Sequence, residues 1–219
     1  MIHFPISMKF VPFETRYPPE WIYDPSSAHP KIELDPVPIS ETWAAMEDLV
    51  TAGLTKYIGI CNFVAQGIMD LLSYCKIRPY VLQVELHPYL VQQQLVDYCM
   101  SENILVVAFS PLGSSSYIQL GMDAGHGVGA LQEEIVLAIA EKINKTPAQV
   151  ILKWNLQRGV SSVIPKSSKI GRVAENISID DFQLSEDDME SITCLNKNKR
   201  FNDPGEFCKS MGGAIPIYA

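Results

Sequence analysis

Ile104-Leu105-Val106-Val107-Ala108-Phe109 is apolar at every position and is bounded by polar Asn103 and Ser110. A strand with one wet face alternates apolar and polar residues, whereas a strand apolar throughout belongs in a parallel sheet covered on both faces. Parallel neighbours cannot be joined by tight hairpins, so each strand must be followed by a crossover, most simply a helix. This one run therefore predicts a chain of alternating strands and helices.

The rest of the sequence supplies that alternation. Strand-like runs end at Phe4, Cys61, Val84, Phe109 and Ile164. Between them, Ser40 is placed to cap a helix with apolar Trp43, Met46 and Val50, stopped by Gly53. Further helices are predicted over Val64 to Tyr74, Leu90 to Ser101 and Gln132 to about Lys142. Thr146-Pro147-Ala148-Gln149 is a capping box with proline at the first helical position, and Gly159 closes the helix that carries Ile151 and Trp154. Ser185 caps a last helix with Met189, Ile192 and Leu195 on one face. The proline-rich stretch from Ile6 to Pro38, with Tyr17, Trp21 and Tyr23, has the length of a lid or pocket wall. With 47% apolar residues in 219, the chain reads as one domain, residues 1–219.

Two architectures fit, a doubly wound sheet or a (β/α)8 barrel. The first calls for a glycine fingerprint directly after a strand. Its one candidate, Gly125-His126-Gly127-Val128-Gly129-Ala130, has no strand before it and reads as a loop.

The net charge is −8, from 25 acidic and 17 basic residues, which argues against a nucleic-acid or anionic-membrane surface. On that background Lys166, Lys169 and Arg172 fall within seven residues, together with Ser167 and Ser168. A β-branched strand ends at Pro165 and a helix is predicted from Ile170, so hydroxyls, cations and free helix N–H groups converge as in a socket for a small anion. A solvated basic loop is the alternative. Pro165 and Val160 stand where a Walker loop needs glycine. Cys61, Cys75, Cys99, Cys194 and Cys208 are odd in number and widely spaced, which predicts reduced, buried thiols and neither a metal site nor a disulfide framework. The apolar runs are too short for a membrane span and prolines interrupt the N-terminal stretch, so the expected location is cytoplasmic. No G-x-S-x-G motif supports a hydrolase.

Val163-Ile164-Pro165-Lys166-Ser167, with Arg172 and Asn176 following, resembles the adenosine-2′-phosphate site of aldo-keto reductases. Ile2-His3-Phe4-Pro5, Tyr57-Ile58-Gly59-Ile60-Cys61-Asn62-Phe63, Leu82-Gln83-Val84-Glu85 and Phe109-Ser110-Pro111-Leu112-Gly113 follow in the order of that family. Arg200-Phe201-Asn202-Asp203-Pro204, with Pro18-Pro19 and Trp21, looks most like its xylose reductase and aldose reductase branch. The resemblance implies a (β/α)8 TIM barrel, N-terminally truncated to about five βα units, with its site at the C-terminal ends of the strands, where His3, Asn62, Gln83 and Ser110 would fall.

It also implies an NADPH-dependent oxidoreductase, with NADH admissible, that reduces an aldehyde or aldose to an alcohol. Asn62 and Gln83, helped by Cys61, would hold the nicotinamide carboxamide, and Phe109 would stack on the ring. Ser110 and Leu112 would line the pyrophosphate. Lys166, Ser167 and Arg172 would grip the 2′-phosphate, and Glu175 and Asn176 the adenine. His3 would be the catalytic histidine, with Trp21 and Asn202 as substrate wall. The family's catalytic aspartate, tyrosine and lysine would precede His3, and Tyr17, Tyr23 and Lys9 offer no replacement. His29, His87 and His126 look ordinary. The other reading is therefore a catalytically incomplete remnant that binds cofactor or a partner. Unpaired edges at Ile2 to Phe4 and Ser162 to Ile164 would then favour self-association or a complementing chain.

Overall fold

The computed structural model describes residues 1–16, 21–113, 129–213 and 215–218. These divide into two compact units, one built from Met1–Pro79 and Asn202–Ala219, the other from Tyr80–Phe201. Gly125 to Val128 of the glycine-rich stretch, His126 among them, and Tyr17 to Pro19 lie outside the described residues, and Gly129 and Ala130 lead into a 3₁₀ turn, Ala130–Gln132.

In the first unit, α1 (Ile39–Thr51) starts behind Pro38, whose fixed φ and extended ψ make the boundary. Ser40 sits inside the helix and caps nothing, because the chain turns helical directly after the proline. Trp43 is buried and donates from Nε1 to the Ile77 carbonyl at 3.0 Å. Glu47, also buried, accepts the backbone N–H groups of Lys76 and Ile77 at 2.6 and 2.8 Å, so one face of α1 holds the end of the following helix. Gly53 ends α1 in the left-handed region at φ +70°.

Strand β1 (Gly59–Cys61) is buried throughout, and α2 (Ala65–Tyr74) packs Ile68 and Leu71 inward. The expected first strand is a single parallel bridge, Ile2 to Ile60, with Ile2 N–H on the Gly59 carbonyl and Cys61 N–H on the Ile2 carbonyl. Residues 6–16 and 21–38 are irregular apart from the Met8 to Leu34 bridge, and they frame a hollow of about 520 Å³ lined by Phe10, Val11, Arg16 and Tyr23. The tail forms a short turn of helix, α8 (Pro204–Phe207), started by Asp203, and runs into a 3₁₀ turn.

In the second unit, β2 (Val81–Glu85), β3 (Leu105–Phe109) and β4 (Ser162–Ile164) pair in parallel, with Gln83 opposite Val107 and Phe109 opposite Ile164. The helices between and after them are α3 (Gln93–Ser101), α4 (Glu134–Ile143), α5 (Pro147–Gln157), α6 (Ile170–Ile177) and α7 (Glu186–Thr193). Their core gathers Val136, Ile139, Ile151, Trp154 and Ile192 with Tyr89 and Phe201.

The capping box at Thr146 and Gln149 is formed in both directions, and Ser185 caps α7 as expected. Helix α3 starts three residues later than its apolar pattern suggested. His87 and Leu90 close a tight bridge, and Gln92 takes φ +49°, a conformation that no helix can contain.

Strand β3 departs from expectation in a way that matters. Val106 and Ala108 are buried, but on the opposite face Leu105 is 41% exposed, and Ile164, the β4 partner of Phe109, is 45% exposed. The run is apolar on both faces as a doubly covered strand requires, yet the second face is only partly covered, with Val107 and Phe109 half-buried and Glu85, beside Phe109, wholly buried. Helix α6 shows the same excess. It buries no residue, and Ile170, Val173 and Ile177 form an exposed stripe, with Ile170 88% and Ile177 71% exposed. What holds α6 is polar: Gln149 Nε2 donates to the carbonyls of Glu175 at 3.2 Å and Ser178 at 2.8 Å.

Candidate functional site

The second unit carries the basic segment. Strand β4 ends at Ile164, Pro165 stops it, and Lys166 to Lys169 lead into α6. Ser167 folds into a local turn, its Oγ accepting the Lys169 N–H at 3.2 Å. Lys166, Lys169 and Arg172 are all exposed, and their side chains make no hydrogen bond or ion pair among the described residues. Lys169, the residue before α6, offers no side-chain cap, so the first N–H groups of that helix also lack a side-chain acceptor. Three unneutralised cations beside free helix N–H groups suit a phosphate. Glu175 and Asn176 ride on the same helix, Glu175 exposed and Asn176 half-buried.

On the sheet, Gln83 lies in the middle of β2, not at its C-terminal end as expected, and is half-buried. Register puts Gln83, Val107, Phe109 and Ile164 on the same, less covered face. Ser110 follows β3 at φ +48°, and its carbonyl accepts the Gly113 N–H at 2.9 Å, which makes a compact turn. Leu112 packs against the apolar core.

The first unit joins His3 to Asn62. Asn62 follows β1 at φ +61°, is buried, and donates from Nδ2 to the His3 carbonyl at 2.8 Å. Its Oδ1 accepts the Tyr218 hydroxyl at 2.9 Å. One donor and one acceptor site of the amide are therefore already used. The buried Cys61 thiol lies 4.0 Å from the Met1 sulfur. The His3 ring is exposed and begins an aromatic ladder, with His3 to Phe4 at 4.6 Å, Phe4 to Trp21 at 5.1 Å and Trp21 to Phe207 at 5.3 Å between centroids. Asn202 is half-buried at the start of the tail. Of the five thiols, Cys61, Cys99 and Cys208 are buried, Cys75 is half-buried and Cys194 is exposed, so the expectation of uniformly buried cysteines does not hold.

Sequence reasoning passed over a polar cluster in the second unit. Glu85 and His87 are wholly buried, and Glu85 Oε1 meets His87 Nε2 at 2.9 Å and accepts the Phe201 N–H at 2.8 Å. Nearby, the Tyr89 hydroxyl donates to Glu133, which also pairs with Lys197 at 3.2 Å. Burial, and then the Glu133 carboxylate, push the Tyr89 phenol well above its ordinary range. The Tyr89 hydroxyl, followed by Lys197, holds Glu133 below the usual carboxylate value. A histidine two residues after a strand-ending glutamate was the available signal.

The Aldo/keto reductase family profile matches residues 21–197. The chain belongs to the aldo/keto reductase family. This family member is 45% identical over 226 residues to a probable NAD(P)H-dependent D-xylose reductase of Aspergillus clavatus, covering 100% of this chain and 67% of the relative. A second protein of that description, from Emericella nidulans, is 46% identical over 208 residues, covering 94% of this chain and 64% of its own length. The aldose reductase structure from Schistosoma japonicum superposes with a TM-score of 0.79 at 33% identity, covering 99% of this chain and 63% of that one. The family member thus spans about two thirds of the length of these relatives, and its parallel βα units are those of the aldo-keto reductase (β/α)8 fold.

Proposed function

We propose that this chain binds NADPH, with NADH as a weaker substitute, and serves the reduction of an aldehyde or aldose to the alcohol. The observation that carries the reading is the unneutralised triad Lys166, Lys169 and Arg172 at the start of α6, in a chain of net charge −8. Lys166, Arg172 and the Ser167 hydroxyl grip the 2′-phosphate that distinguishes NADPH from NADH, and Glu175 and Asn176 meet the adenine. Gln83 offers an amide to the nicotinamide carboxamide and Phe109 a face to its ring, while Ser110 and Leu112 line the pyrophosphate. Asn62 contributes the donor and acceptor sites left over from His3 and Tyr218, with Cys61 beside it. NADPH supplies the hydride. His3 presents its imidazole N–H to the carbonyl oxygen, and Trp21 and Asn202 wall the substrate. The names of the xylose reductase relatives support a small sugar or aldehyde as substrate, and the reading places the protein in the cytoplasm.

The test is a titration of NADPH, then NADH, into the purified 219-residue protein followed by tryptophan fluorescence. Each lost phosphate contact is expected to weaken NADPH about tenfold or more in Lys166→Ala and Arg172→Ala, with little change for NADH. Equal loss for both cofactors, or none for either, would sink the phosphate assignment.

A further inference from the structure

Residues 196–201 form a strap held to the turn that follows β2, and nearly every link is polar. The Tyr89 carbonyl accepts the N–H groups of Lys197 at 3.1 Å and Lys199 at 2.9 Å. Asn196 Oδ1 accepts the Val91 N–H at 3.3 Å, and Arg200 Nη2 donates to Gln92 Oε1 at 3.0 Å. Gln92 in turn donates from Nε2 to the Glu85 carbonyl at 2.8 Å. The innermost link is the one from Glu85 Oε1 to the Phe201 N–H, and it lies inside the core, where the Phe201 ring packs on His87 at 4.9 Å. Both partners are buried, so a carboxylate acceptor is worth more there than at the rim and its loss leaves a buried N–H bare.

His87 explains how a carboxylate tolerates that position. Its Nε2 faces Glu85, while its Nδ1 is buried with no hydrogen-bond partner among the described residues. A proton on Nε2 makes that contact a hydrogen bond to the Glu85 carboxylate. The pair is therefore a fixed anchor for a backbone N–H.

We propose that Glu85 is a positioning residue, which through the Phe201 N–H fixes the end of the strap and so holds residues 196–201 against the turn that follows β2. Glu85 is two residues after Gln83 on the same face of β2. One strand then carries both the amide assigned to the cofactor and the anchor of the strap. The functional half of this inference rests on the cofactor and substrate reading above, and the anchoring half does not.

The strap contains three tryptic sites, after Lys197, Lys199 and Arg200, which makes its opening measurable in the full chain. Cleavage of a transiently opened segment tracks its opening equilibrium. Glu85→Ala is expected to speed cleavage in 197–200 at least about tenfold relative to the exposed site at Lys56. Glu85→Asp, one methylene short, shifts cleavage the same way and decides the matter if the alanine variant does not fold. Glu85→Gln keeps an oxygen for the Phe201 N–H and is expected to stay within about threefold. NADPH affinity of the Asp and Gln variants should remain within twofold of wild type. Unchanged strap cleavage in both Ala and Asp variants overturns the proposal, as does a parallel rise at Lys56, which would report general unfolding. NADPH weakened in step with strap opening overturns it as well. Failure of the wild-type chain to bind NADPH would sink the cofactor reading alone, and strap cleavage would still decide the anchor.

Discussion

Gln149 is asked to do two things, and the substitution Gln149→Glu separates them. Its Oε1 accepts the Thr146 N–H at 2.9 Å, closing the capping box of α5, while Nε2 donates to the carbonyls of Glu175 and Ser178 at the end of α6. A glutamate keeps the first function and loses the second. Each neutral hydrogen bond contributes about 1 kcal/mol net, so α6 should lose about 2 kcal/mol of attachment, or about thirtyfold in its local opening equilibrium. Helix α6 has no buried side chain to make up the difference. Gln149→Ala loses the cap as well, for a total of about 3 kcal/mol. Amide hydrogen exchange of a peptide covering 170–177, alongside urea unfolding of the whole chain, reads both effects. The glutamate variant should exchange faster in that peptide with most global stability retained. Wild-type exchange there in Gln149→Glu would refute the claim that α6 is held by this one side chain.

Burial raises the thiols of Cys99 and Cys208 to about 11, with Asp203 adding to the effect at Cys208. A group whose folded value is raised stabilises fully below its unfolded value and less as pH climbs toward the folded one. The urea midpoint should therefore fall between about pH 8.5 and 10, and the fall should shrink in the Cys99→Ala, Cys208→Ala double variant. An unchanged slope in that variant contradicts the assignment. Tyr218→Phe frees the Asn62 oxygen from a competing hydroxyl, and NADPH is expected to bind about two- to tenfold tighter. Weaker binding would show that Tyr218 belongs to the cofactor site instead.

What could be read in advance was local. The capping box at Thr146, the stop at Gly159 and the helix start at Ile170 each depend on a few adjacent residues, where composition and spacing determine the outcome. Ser40 shows the limit even there, since a proline two residues earlier decided where α1 begins. The Glu85 to Phe201 bond joins residues 116 apart and the Tyr218 to Asn62 bond residues 156 apart. No periodicity reports such pairs. The individual roles of His3, Gln83 and Phe109 came from family resemblance, because a histidine, a glutamine and a phenylalanine on strands look the same whether they pack or bind.

The exposed apolar residues of β3 and β4 and the bare stripe on α6 have a thermal consequence. Leu105, Ile164, Ile170 and Ile177 already meet water in the folded chain, so unfolding hydrates less new hydrocarbon than a chain of this length normally would. Because newly exposed apolar surface is the source of the positive heat-capacity change, calorimetry should find that change below the usual per-residue value, and the stability curve correspondingly flat. Such a chain gives up little of its margin on cooling, and its melting transition is broad.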